Sequence, residues 1–216
     1  MPALSPRPRR PVPPPDGFRL WPERLDRSAQ EALVAAVQEG VRQAPLFQPR
    51  MPRTGAAFSV EMSNFGPLGW VSDRDGYRYQ DRHPVTGAPW PAMPDMVCAL
   101  WRELSGYPHP PEACLINVYR GTARMGLHVD ADEAARDAPV LSISLGDPAL
   151  FRIGGAHRRD PCAALWLSSG DVALLSGPAR HAYHGVDRLR AGASRLAPGG
   201  GRINLTVRRV TSPAKD

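Results

Sequence analysis

The residues best suited to chemistry lie in the C-terminal half of the chain. His128-Val129-Asp130 offers an imidazole and a carboxylate two positions apart, and His184 offers a second imidazole. The run Arg202-Ile203-Asn204-Leu205-Thr206-Val207-Arg208 then brings two guanidiniums separated by an amide and a hydroxyl. Two imidazoles and one carboxylate on one face of a metal leave its other positions open, the pattern of non-haem Fe(II) oxygenases. Ligation needs neutral imidazoles and an ionised carboxylate, and both are plentiful near pH 7. An isolated H-x-D arises often by chance, and a single His is more often an ordinary hydrogen-bonded residue. The combination is the signal.

These side chains must be aimed by strands. Period two places His128 and Asp130 on one face of a strand over Leu127–Asp130. His184 falls in a later strand over Tyr183–Val186, which can lie beside the first in a double-layer sheet. In the last strand Arg202, Asn204, Thr206 and Arg208 share one face, and Ile203, Leu205 and Val207 share the other. Two guanidiniums on one inward face suit a dicarboxylate, one for each end. Asn117 and Tyr119 occupy one face of their own strand and could hydrogen-bond the same small anion.

The scaffold reads as two helices followed by strands. Ser28-Ala29-Gln30-Glu31 has the form of a capping box, and Leu33, Val34, Val37 and Val41 recur at helical spacing, so a helix is predicted over 28–42. A second helix is predicted over 94–105, with Met96, Val97, Leu100, Trp101 and Leu104 as its apolar stripe and Gly106 as its stop. Both stripes should dock on a sheet. Between them, residues 50–93 are rich in Gly, Pro, aromatic and charged residues and read as a long irregular binding loop or lid. From Ala113 onward short strands alternate with Gly-rich turns. The candidates are Cys114–Tyr119, Leu127–Asp130, Val140–Leu145, Ala149–Ile153, Ala164–Leu167, Val172–Leu175, Tyr183–Val186 and Ile203–Arg208. About eight such strands predict a sandwich or jelly roll. The fold class is therefore mainly β with flanking helices (α+β).

Composition bounds the remainder. The chain has 216 residues, enough for one domain with a sizeable core. No apolar run approaches the ~18 residues of a membrane span. Cys98, Cys114 and Cys162 are scattered and odd in number, which argues against a disulfide framework and for a reducing, cytoplasmic setting. The net charge is +6, and Lys215 is the only lysine, so the positive charge is nearly all guanidinium. That balance fits an anionic partner such as nucleic acid, although the composition of a GC-rich genome would give the same count. The Pro- and Arg-rich stretch 1–16 reads as an extended tail, with a single domain over 17–216.

Taken together, Asn117-x-Tyr119, His128-x-Asp130, His184 and Arg202-x-Asn204-x-Thr206-x-Arg208 resemble the AlkB family. These are Fe(II)- and 2-oxoglutarate-dependent dioxygenases that repair alkylated nucleobases. Gly69-Trp70, Gly76-Tyr77-x-Tyr79, Pro89-Trp90-Pro91-Ala92-Met93-Pro94, Ser142-Ile143-Ser144-Leu145-Gly146 and Gly154-Gly155 also resemble its bacterial branch. The likeness spans Phe58 to Arg208, and the segment Gly192 to Gly201 departs from it.

The resemblance implies a double-stranded β-helix core over about 113–210 and a nucleotide-recognition lid over about 50–93. It implies Fe(II) on His128, Asp130 and His184, with O2 at an open position. It places 2-oxoglutarate on Asn117, Tyr119, Arg202, Asn204 and Arg208. Arg202 is favoured for the distal carboxylate and Arg208 for the keto-acid end, an assignment that spacing leaves open. Trp70 would stack on the damaged base opposite His128. Asp132, assisted by Glu133, would read the exocyclic amine, and Arg74, Tyr77 and Arg158 would contact phosphates or the extruded nucleotide.

The implied activity is oxidative removal of N-alkyl groups of the 1-methyladenine and 3-methylcytosine type, with release of formaldehyde. The implied partner is single-stranded or flipped-base DNA, or RNA, bound by a monomer. Such rings carry positive charge, which an indole and a carboxylate favour over the neutral base. Two other readings stand beside this one. One is a dioxygenase of the same fold acting on tRNA, protein or a small molecule. The other is a non-catalytic nucleic-acid binder, which would have no chemical need for the triad and both arginines.

Overall fold

The structure is a computed structural model and describes residues 11–213. The first ten residues of the predicted tail lie outside the described residues, and 11–15 form neither helix nor strand. In chain order the elements are β1 (Phe18–Trp21), α1 (Arg27–Gln43), β2 (Glu61–Phe65), β3 (Gly69–Asp73), β4 (Gly76–Gln80) and α2 (Asp95–Leu104). Then come β5 (Ala113–Tyr119), β6 (Met125–His128), β7 (Val140–Gly146), β8 (Ala149–Ile153), β9 (Ala163–Leu167) and β10 (Val172–Leu175). The short α3 (Gly177–Arg180), β11 (His184–Leu189) and β12 (Arg202–Arg208) complete the chain.

Two antiparallel sheets face one another. The larger has the order β1-β10-β7-β12-β5-β2, and the smaller β6-β11-β8-β9. β3 and β4 form a separate hairpin. This is the double-layer β architecture with flanking helices that the strand pattern predicts, and β5 to β12 correspond to the eight predicted strands.

β12 shows why the core divides in two. It pairs along its whole length with β5 on one side and β7 on the other. Its Ile203, Leu205 and Val207 face α1 and α2 in one apolar cluster with Leu33, Val37, Leu100 and Trp101. Its opposite face carries Arg202, Asn204, Thr206 and Arg208 into the space between the sheets. A second apolar cluster around Leu115, Val140, Phe151, Ile153 and Leu175 closes the rest of that space. Both helical stripes therefore dock on the larger sheet, as their spacing predicts.

Several boundaries differ from the sequence reading. α1 begins at Arg27, and Asp26 caps it by accepting from the Ala29 amide at 2.8 Å. An Asp directly before the first turn takes the capping position from Ser28, and Glu31 turns instead to Arg27. The stretch 50–93 is more regular than predicted: β2 adds an edge strand to the larger sheet, and β3–β4 make a five-residue ladder. Its Gly and charged residues disguised these strands, yet Gly69 is required by packing. A Cβ there would lie 2.3 Å from the Trp90 ring. No helix among the described residues is long and apolar enough to cross a membrane.

Candidate active site

His128 is the last residue of β6 and His184 the first of β11, and the two pair directly across the smaller sheet. A register shift follows His184, so both rings sit where the ladder opens. Their centroids are 4.6 Å apart. Asp130 lies beyond the end of β6, not within a strand as the alternation suggests. Its carbonyl accepts from Arg180 Nη1 at 2.6 Å, so the chain leaves the ladder with that acceptor satisfied. The carboxylate still converges on the imidazoles. His128 Nε2 is 3.5 Å from Asp130 Oδ1, and His184 Nε2 is 3.7 Å from Oδ2. One ligand atom from each residue lies within 4.8 Å of the others.

The surroundings prepare these atoms for a cation. His128 Nδ1 lies 3.0 Å from the Gly126 carbonyl, and His184 Nδ1 lies 3.0 Å from the Ala182 carbonyl. An Nδ1–H donated to a carbonyl leaves the Nε2 lone pair of each ring free to ligate. Asp130 Oδ2 is buried with no hydrogen-bond partner, an orphan that a bound metal would satisfy. Burial raises the Asp130 carboxyl, but Arg208 and the two imidazoles outweigh it and hold the group well below the carboxylate range. Burial pushes His184 down to about 4, so it is neutral and ready to bind. These donors fit Fe(II) with open coordination positions.

The triad opens on a cavity of about 760 Å³ between the sheets. At one end Arg202 is 1 % exposed. Its Nη2 donates to Ser144 Oγ at 2.8 Å and its Nη1 to the Leu167 carbonyl at 3.3 Å, while Nε has no partner. Among the described residues no carboxylate lies within ion-pair distance of it. Burial lowers its pKa to about 10. Tyr119 shares this end, its phenol pushed up to about 12 by burial. The arrangement is a buried, positively charged end of the cavity, chemically suited to an anion.

Arg208 lies at the other end of the same strand face, and its charge is balanced by two carboxylates although its Nε, too, has no partner among the described residues. Its Nη2 meets Asp130 Oδ1 at 2.7 Å and its Nη1 meets Glu133 Oε1 at 2.8 Å. Asn117 Nδ2 donates to Thr206 Oγ1 at 3.2 Å, and Asn204 Nδ2 to Ser142 Oγ at 2.8 Å. These amides line the cavity already oriented by their neighbours.

The hairpin forms the mouth. Trp70 is buried on β3 and donates its Nε1–H to Asp132 Oδ2 at 2.8 Å. Tyr77 on β4 stacks against the indole, centroids 5.7 Å apart and planes 16° apart. Trp70, Tyr77, Asp132, Arg158 and His128 all line the cavity.

Two predicted contacts fall elsewhere. Glu133 is buried behind the wall, where it is gripped by Arg180 at 2.9 Å, Arg208 and the Tyr79 hydroxyl, so it positions the loop and does not face a base. Arg74 sits exposed in the β3–β4 turn, outside the cavity lining. Sequence reasoning missed Arg180 altogether. It lies in Gly177-Pro178-Ala179-Arg180, a stretch too short to show any period, and its role follows from tertiary contacts alone.

Comparisons with known proteins agree with this geometry. The model of the 2OG-Fe(II) oxygenase superfamily matches residues 17–208. An alpha-ketoglutarate-dependent dioxygenase AlkB homolog of Caulobacter vibrioides is 58% identical over 194 residues, covering 90% of this chain and 88% of that protein. The alpha-ketoglutarate-dependent dioxygenase AlkB of Escherichia coli is 42% identical over 187 residues, covering 85% and 86%. The solved structure of OsALKBH1 superposes with a TM-score of 0.74 at 27% identity, over 94% of this chain and all of that one.

Proposed function

Because the chain belongs to the AlkB family of the 2OG-Fe(II) oxygenase superfamily, we propose that it removes N-alkyl groups from bases of nucleic acid by oxidation, with formaldehyde as the product. It is an Fe(II)- and 2-oxoglutarate-dependent dioxygenase that consumes O2. The observation that carries the reading is one cavity lined by three convergent residues that could ligate a metal and by a buried arginine that, among the described residues, has no carboxylate partner.

In this reading His128, Asp130 and His184 hold the iron. Arg202 takes the distal carboxylate of 2-oxoglutarate, helped by Tyr119. Asn117, Asn204 and Arg208 shape the wall on the keto-acid side. Iron with its keto acid and O2 supplies the oxidising power that attacks the N-alkyl group. The protein's own residues bind, orient and exclude water. Arg208 keeps Asp130 ionised at its place in the metal's face. Trp70 and His128 flank a planar base, and Asp132 meets the exocyclic amine of a cationic ring. Tyr77 and Arg158 contact the nucleotide's backbone at the mouth. The hairpin β3–β4, within residues 50–93, serves as the nucleotide lid of a single domain beginning near residue 17.

A base still stacked in a duplex would not reach the triad, which lines a cavity between the two sheets. The substrate is therefore a single strand or an extruded nucleotide. An N-alkyl group on the pairing edge favours this by weakening the pair it must leave.

The test is formaldehyde release from a single-stranded oligonucleotide bearing 1-methyladenine, supplied with Fe(II) and 2-oxoglutarate. Wild type should turn over and His128→Ala should not. Trp70→Ala should lose about 10- to 100-fold in kcat/KM for the base, the equivalent of one stacked ring. It should keep slow decarboxylation of 2-oxoglutarate without base. Absence of turnover by wild type with the metal bound would refute the substrate assignment.

A further inference from the structure

A second feature of the surface joins the catalytic cavity. Ser59 and Arg124 line the cavity, and the same two residues line a neighbouring cleft of about 500 Å³ with Thr122, Asp187, Arg188 and Leu189. Ser59 and Arg124 are held to each other, since Ser59 Oγ donates to the Arg124 carbonyl at 2.8 Å and accepts from its amide at 3.1 Å. The cleft is thus an extension of the mouth with a fixed shared edge.

From the cleft the path continues onto the outer face of the smaller sheet. Arg188 of β11 pairs with Leu150 of β8, and Leu150 pairs with Trp166 of β9. Arg188 reaches across this row to lie 5.8 Å from the Trp166 ring centroid. Arg190 lies closer, 4.1 Å over the same ring. Stacking on the indole orients a guanidinium and leaves its N–H edge free for phosphate. Among the described residues Arg190 has no carboxylate within ion-pair distance. Arg188 has only its chain neighbour Asp187 at 3.4 Å, with the arginine side chain 65% exposed. An exposed pair of that kind is weak and can exchange for phosphate. A row of cations around a half-buried aromatic ring, continuous with the cavity, matches a polyanion that also carries flat rings. Single-stranded nucleic acid is such a polyanion.

Building on the activity proposed above, we propose that the strand flanking the extruded base runs from the cavity mouth across the Arg188 cleft onto the Trp166–Arg190 patch. The patch adds affinity for length and backbone charge and takes no part in the oxidation.

The experiment compares two 1-methyladenine substrates, a trinucleotide and a 15-mer single strand. The variants are Arg188→Gln with Arg190→Gln, and Trp166→Ala. For the 15-mer, the double variant should raise KM about tenfold with kcat unchanged. It should also reduce the slope of log KM against log salt by about 1.4, two contacts at 0.7 each. For the trinucleotide, KM and kcat should equal those of wild type, which also shows that the variant is folded. Arg188→Lys with Arg190→Lys keeps the charge and should retain the wild-type salt slope. Equal losses on both substrates, or an unchanged KM and salt slope on the 15-mer, would overturn the track. Failure of wild type on both substrates would instead strike the activity itself.

Discussion

Arg202 and Arg208 occupy the two ends of one strand face, yet their neighbours leave them in different electrostatic states. Arg208 is paired with Asp130 and Glu133, and among the described residues Arg202 has neutral partners only. A buried charge without an opposite charge costs stability until a ligand supplies one. Arg202→Met should therefore leave the melting temperature of the protein without cosubstrate unchanged or higher. Wild type should gain about 2.7 kcal/mol of stability with 2-oxoglutarate at 100 times its Kd, and the variant should gain none at that concentration. Thermal melts of the metal-loaded proteins, with and without 2-oxoglutarate, measure both.

The two imidazoles differ in the same way. Burial pulls His128 down, but the hydrogen bond and charge of Asp130 outweigh it and hold the group above its ordinary value. His184 is held at about 4. Of the two rings, His128 is then the one that keeps its proton to higher pH, where a metal must displace it. Metal affinity should fall by about tenfold per pH unit as pH drops below the raised His128 value, the dependence of one competing proton. Calorimetric titration with Mn(II) between about pH 5 and 8 reads this, and a two-proton dependence would contradict it. The pairing of these side chains was legible from H-x-D and a distant His. Their unequal environments were not, because burial depends on neighbours remote in sequence.

At the scale of elements, the loop from Val129 to Pro139 has no helix or strand to fix it, although it carries Asp130 and Asp132. Arg180 does so from α3. It donates to the carbonyls of Asp130 and Ala138 and to the Glu133 carboxylate. Arg180→Met leaves two carbonyls without a donor and removes one of the guanidiniums that balance Glu133. It should cost about 3–5 kcal/mol in urea unfolding, the range for breaking a buried ion pair. A loss under about 1 kcal/mol would show that the loop is held by other contacts. β12 was readable because its alternation is strict and both its faces are used. The strands β2 to β4 were not, because Ser63 and Asn64 interrupt the apolar residues of β2, and Gly69, Gly76 and the charged residues between them suppress the pattern in β3 and β4.

For the whole molecule, the functional groups divide between the sheets. His128 and His184 come from the smaller sheet, and Arg202, Arg208, Asn117 and Asn204 from the larger. Metal and keto acid bound together would bridge the two layers. Removal of metal by a chelator should lower the melting temperature and increase amide exchange in β6, an edge strand, more than in β12, which is paired on both sides. Hydrogen exchange of loaded and chelated protein checks this. Stability of the whole fold rests on the other face of the same strand. Leu205→Ala, at a fully buried position between sheet and helices, should cost about 2–5 kcal/mol.

The order of residue types along the chain was enough to read a triad that fits a metal, a last strand with one polar and one apolar face, and two sheet-covering helices, since each is a matter of spacing within one element or of side-chain chemistry. The folded arrangement alone sets which arginine lacks a counter-charge among the described residues, that Glu133 is clamped by Arg180 and Arg208, and that a second cleft holding Arg188 shares Ser59 and Arg124 with the cavity. Those properties arise from contacts between residues far apart in the chain, where the free energy of a charge is set by what surrounds it and not by what precedes it.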